Sequence, residues 1–156
     1  MRNKVCMLFG QDDLSIKNLS NILKEELYKQ IEKGVNVFLV GNCGAFDNLA
    51  YEVCRQISNY CQDVEIIKVF TSISELLNCP LTIYGNGSVD RIFSTIYDIE
   101  EIEGANRLAV TNLKMVEDSD IILTFLNLAS CSKSDKQIWD YAIKLKKEVV
   151  NLLGKN

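Results

Sequence analysis

The residues best placed to do chemistry are Gly41, Gly44 and Asp47, inside the stretch FLVGNCGAFDNLAYEVCRQI at 38 to 57. An apolar run stops at Gly41, and Phe46, Leu49, Ala50, Val53 and Ile57 then recur at helical spacing. A strand, a glycine turn and a helix N-terminus in that order let backbone approach a ligand closely. The first N–H groups of the helix lack internal partners, which suits phosphate or carboxylate. Asn42 and Cys43 complete the turn and join the candidate binding residues. Gly-Asn-Cys-Gly is shorter than the full dinucleotide fingerprint, and Asp47 reads equally as an acid favoured by the helix dipole.

Other chemistries lack their raw materials. The chain has no histidine, and its six cysteines, Cys6, Cys43, Cys54, Cys61, Cys79 and Cys131, form no CxxC pair. A zinc site or a Cys/His nucleophile has nothing to be built from, so neither metal nor cofactor is expected. Cys6 and Cys54 fall on apolar faces and read as buried thiols. The formal charge of −4 offers no basic stripe to a phosphate backbone, which disfavours nucleic acid. No stretch is long enough to span a membrane, and MRNKVCMLFGQDD turns polar too early for a signal peptide. A cytoplasmic protein is expected, with the choice between monomer and homo-oligomer left open.

These residues need a frame. Lys4 to Phe9 is an apolar run ending at Gly10, and Leu19, Ile22, Leu23, Leu27 and Ile31 follow at helical spacing before Gly34. Val35 to Val40 reads as a second strand, leading into the glycine turn and its helix, and Val64 to Phe70 as a third. Between Thr71 and Arg107 lie the one proline, Pro80, a Gly-Asn-Gly-Ser turn at 85 to 88 and the acidic run DIEEIEG at 98 to 104. A fourth strand or a hairpin fits the short apolar pieces there. A short helix from about Asn112 to Glu117, a strand Ile121 to Phe125 and the polar loop ASCSKSD come next. A helix with Ile138, Ala142 and Leu145 inward and a strand Val149 to Leu153 complete the pattern. Apolar strands alternating with amphipathic helices predict a single α/β domain over 1 to 156, with a doubly wound, mainly parallel sheet in three layers.

Four segments recur in a recognisable order: Phe9, Gly10 and Asp13 in an FGxxD-like turn, FLVGNCGAFDNLA, MVEDSDIILTFL at 115 to 126 and WDYAIKLKKEVVNL at 139 to 152. In order and character they resemble the SLOG superfamily of Rossmann-like proteins, and within it the bacterial YpsA-like branch. The resemblance implies a site for nucleotides or nucleotide-derived molecules. It carries Gly41, Gly44, Phe46 and Asp47 onto the family's first glycine motif, with Asn42 in place of its second glycine. It also implies ligand contacts at Gly10 and Gln11, at Asn112, and at Lys133 and Ser134. Asp140 falls where the family's base-releasing hydrolases carry a catalytic glutamate.

The departures from the family pattern bear on mechanism. Gly10-Gln11-Asp12 stands where the family has GHR, Val110-Thr111-Asn112 replaces a Lys-Arg-Asn cluster, and Lys133-Ser134 replaces a second glycine pair. Two cations and one backbone cradle are lost, and each charge-assisted hydrogen bond to a phosphate is worth roughly 1.5–3 kcal/mol. The resemblance therefore points to a domain that binds or senses a nucleotide-derived small molecule more than to an enzyme. The alternatives are a phosphoribohydrolase or a nucleoside deoxyribosyltransferase-like enzyme, with Asp47 or Asp140 as its carboxylate, and a degenerate domain that only binds a protein partner.

Overall fold

The computed structural model describes residues 2–13, 17–41, 44–70, 92–96 and 105–154. Six strands, β1 (Val5–Gly10), β2 (Val37–Val40), β3 (Glu65–Phe70), β4 (Ile92–Ile96), β5 (Ile121–Phe125) and β6 (Glu148–Asn151), make one sheet in the order β4-β3-β2-β1-β5-β6. Every pairing is parallel, with Leu8 opposite both Val40 and Leu123. Among the described residues four helices, α1 (Leu19–Glu32), α2 (Ala45–Ser58), α3 (Ala105–Asp118) and α4 (Lys133–Lys144), cover the sheet, and a 3-10 turn (Leu152–Gly154) follows β6. This is the doubly wound, Rossmann-like α/β architecture. Among the described residues no helix is long and apolar enough to cross a membrane.

The strand alternation sorts the core into two halves. Cys6, Leu8, Phe38, Val40, Ile66, Leu123 and Phe125 pack with α1 and α2, while Met7, Phe9, Leu39, Val69 and Ile122 pack with Met115 and Val116 of α3 and Ile138 and Ala142 of α4. Side chains on both faces of the central strands are buried, as a parallel sheet requires. The Cys6 and Cys54 thiols lie in the first half, where burial pushes Cys54 up to about 12 and Cys6 higher than its ordinary range. Both stay protonated and inert at neutral pH.

Two helix ends carry the same stop. In α1, the Gly34 N–H donates to the Ile31 carbonyl and the Val35 N–H reaches back to Gln30, the paired bonds of a Schellman cap with Gly34 at φ 101°. In α4, Lys146 at φ 58° plays the glycine's part, with Lys146 N–H to Ile143 and Lys147 N–H to Ala142. That cap takes Leu145 off the inward stripe and leaves it 37% exposed, against the expectation that it faces the core.

Other boundaries also shift. The helix expected from about Asn112 begins a full two turns earlier, at Ala105, because Thr111 takes an inward, buried position that breaks the apolar stripe. The fourth strand is parallel to β3, so the two do not form a hairpin. β2 starts at Val37 and β6 ends at Asn151, both shorter than their apolar runs. The Asn42 and Cys43 positions, Pro80, the turn at 85–88 and the acidic run at 98–104 lie outside the described residues.

Gly10 is covered by the core. A methyl group there would sit 2.8 Å from the Phe46 ring and 3.1 Å from the Phe125 Cβ, and both phenylalanines are fully buried. Gly10→Ala should therefore cost about 1–3 kcal/mol, the usual penalty for overpacking a core, read as a lower urea midpoint with an unchanged slope. A variant as stable as the parent would show that this contact yields freely.

Candidate functional site

Strand order reverses between β1 and β5, so the connections that leave their C-terminal ends run to opposite faces of the sheet and leave a crevice at its edge. The Gly10 and Phe125 ends are paired in register there, and the Phe46 ring stacks on Phe125 with centroids 6.3 Å apart. Gly10 is bare so that the first turn of α2 can seat Phe46 across β1. The crevice is walled by the loop after β1, the first turn of α2, the loop after β5 and the start of α4.

Each glycine of the first motif makes room for the protein's own acid. A Cβ on Gly41 would meet the Asp47 Oδ2 at 2.6 Å, and one on Gly44, at φ 99°, would meet the Asp12 Oδ1 at 2.3 Å. That Asp12 oxygen accepts the Ala45 N–H at 2.9 Å. An acid 33 residues away in sequence thus fills the anion position at the head of α2. Asp47 stands in the same first turn, half-buried, and Asp12 caps the helix from the loop after β1.

The head of α4 has its own acid. Ser132 caps the helix, its Oγ accepting the Asp135 N–H at 3.1 Å. Burial pushes the Asp135 carboxyl up, a hydrogen bond with Ser132 opposes this, and the nearby charge of Asp12 adds to the rise. The charge of Asp12 therefore reaches Asp135, and acids stand at the heads of both α2 and α4.

Gln11 is a brace. Its N–H donates to the Phe125 carbonyl at 2.9 Å and its Oε1 accepts the Asn127 N–H at 2.8 Å, so the loops after β1 and β5 are joined at the crevice floor. From β6, the Asn151 side-chain amide donates to the Leu126 carbonyl at 2.9 Å and accepts its N–H at 3.2 Å. Asn127 turns its own loop by accepting the Ala129 N–H. Asn127 and Asn151 carry no motif, and only the three-dimensional pairing of β1, β5 and β6 reveals their part.

The remaining expected residues divide. Lys133 and Ser134 stand exposed in the first turn of α4, at the crevice's rim. Lys133 also lines a shallow groove of about 380 Å³ with Leu128, Cys131, Ser132, Lys136, Gln137 and Asp140. Asp140 lies on the face of α4 opposite the buried Ile138 and Ala142 and is ion-paired with Lys136. Asn112 is seven residues inside α3, about 10 Å from its first turn at 1.5 Å per residue, because the helix starts at Ala105.

Compared with protein-family models the chain matches none, and a search of curated proteins finds no match. Fold and geometry therefore carry the functional reading.

Asp12 and Asp135 provide a direct test of the crevice. Asp12→Asn should bring the Asp135 titration, followed by carboxyl-carbon NMR, down towards the ordinary aspartate range. Because the folded-state pKa of Asp135 is raised, its ionisation costs stability at neutral pH, and that stability returns as pH falls through the folded pKa. Asp12→Ala should remove the α2 cap and lower stability by about 1 kcal/mol. An Asp135 titration indifferent to Asp12 would separate the two walls.

Proposed function

We propose that this domain binds a nucleotide-derived cytoplasmic small molecule in the crevice between the ends of β1 and β5, as a SLOG-like binding or sensing domain. The observation that carries the reading is the crossover itself, where the glycine turn and the heads of α2 and α4 surround one opening, the place where doubly wound sheets take ligands. Asp12 and Asp135 suit the hydroxyl groups of a sugar, since ionised carboxylates are acceptors only.

Binding rather than turnover is the reading the carboxylates support. Asp140 is exposed, turned away from the sheet and engaged by Lys136. Stabilising an oxocarbenium-like centre takes a carboxylate held at the sugar, and Asp140 is held elsewhere.

Thermal unfolding of the purified chain with adenosine, adenosine 5′-diphosphate, ADP-ribose and a nicotinamide dinucleotide tests the proposal. At least one should raise the midpoint, with no free base released on prolonged incubation. Gly44→Val, which must displace the Asp12 carboxylate, should fold with a lower midpoint and lose the ligand-induced rise. A parent protein indifferent to all four compounds would sink the reading, and base release abolished by Asp140→Asn would replace it with a hydrolase.

A further inference from the structure

Acids stand at the heads of both α2 and α4, so an anionic group on the ligand needs a cation from elsewhere, and the sheet supplies one. Lys68 lies opposite Val40 in the β2–β3 register, and Val40 immediately precedes Gly41 and the glycine turn. The side chains of Ile66, Lys68 and Phe70 share the α2 face of β3. The Lys68 ammonium rests 4.4 Å from the centroid of the Tyr51 ring and 5.8 Å from that of Phe70. Tyr51 follows Asp47 by one turn of α2, so the two share a helix face.

Lys68 is half-buried, and its contacts are aromatic faces. Among the described residues no carboxylate lies within ion-pairing distance of it. Aromatic rings attract an ammonium without neutralising it, at about 0.5–2 kcal/mol. The result, among the described residues, is a positioned positive charge with no carboxylate paired to it, on the strand next to Val40 and Gly41. Lys133, by contrast, is exposed and has no such perch.

We propose that Lys68 is the anion-recognising residue of this site, taking the phosphate or diphosphate of the ligand on the β3 side of the glycine turn, while Asp12 holds the head of α2. The proposal rests on the nucleotide reading above. It also accounts for the loss of the cations expected after β1 and in α3, since their charge is supplied from β3 instead.

The test compares adenosine 5′-diphosphate with adenosine by calorimetry on the full chain, and follows lysine side-chain NMR signals during titration with inorganic pyrophosphate. The parent should prefer the diphosphate by about tenfold, and pyrophosphate should move the Lys68 signals. Lys68→Met should bring the diphosphate down to the affinity of adenosine and leave adenosine unchanged, while Lys68→Arg and Lys133→Ala keep the preference. If Lys68→Met does not fold, Tyr51→Leu, which removes the perch and keeps the charge, should reduce the preference severalfold. A preference that survives in Lys68→Met or Tyr51→Leu, that is lost only in Lys133→Ala, or that the parent lacks overturns the assignment to Lys68. Adenosine binding that persists through those results leaves the nucleotide reading standing. A parent that binds neither compound overturns the assignment to Lys68, and it overturns the nucleotide reading as well when ADP-ribose and the nicotinamide dinucleotide also fail to bind.

Discussion

The seating of Phe46 over Gly10 is the contact on which the rest of the crevice depends. It brings the first turn of α2 across the end of β1, and the Phe46 ring closes on Phe125 at the end of β5. Fully burying such a side chain contributes roughly 1.5–3 kcal/mol, enough to dictate the approach of a helix. Once α2 lies there, the chain must turn sharply out of β2, and Gly44 accepts the positive φ this demands. That turn aims the Ala45 N–H at the loop after β1, where Asp12 meets it.

The outcome is a site that satisfies its own strongest electrostatic demand. In many doubly wound proteins the exposed N–H groups at this helix head wait for a phosphate. Here an internal carboxylate occupies the position, so an anion entering at that point would meet both competition and repulsion. Asp135 at the head of α4 extends the same negative field. The positive charge nearby sits one strand further out, on Lys68, where aromatic rings hold it away from those acids.

Much of the frame was legible from residue order. The strand Ile121 to Phe125, the helix from Leu19 closed by Gly34 and the inward stripe of α2 all follow from periodicity and one glycine each, because local propensity and burial agree there. Where they disagree, the pattern misleads. Thr111 faces inward as a polar residue and hides the first half of α3, and α1 likewise buries Glu26 and Gln30, with Gln30 donating to Glu26 at 3.0 Å. Lys146 closes α4 in a conformation that sequence reasoning assigns to glycine, so Leu145 looked like core. The candidate site was legible only as a place. Gly41 and Gly44 drew notice as glycines, but the contacts around them, Asp12 on Ala45, Gln11 on Asn127 and Lys68 on Tyr51, join residues distant in sequence, and no local pattern encodes them.

The Asn151 clamp carries a consequence for motion. Its one side-chain amide holds both backbone groups of Leu126, so the loop after β5 takes its position from β6, an edge strand with a neighbour on one side only. Edge strands open more readily than central ones, and local opening is graded by how much packed structure must part. Each time β6 frays, the far wall of the crevice keeps only its Gln11 brace while β1 and β2 remain intact. The amide of Leu126 would then exchange with solvent on the timescale of the edge strand rather than that of the buried strand it adjoins. The crevice thus has one stiff wall and one that breathes.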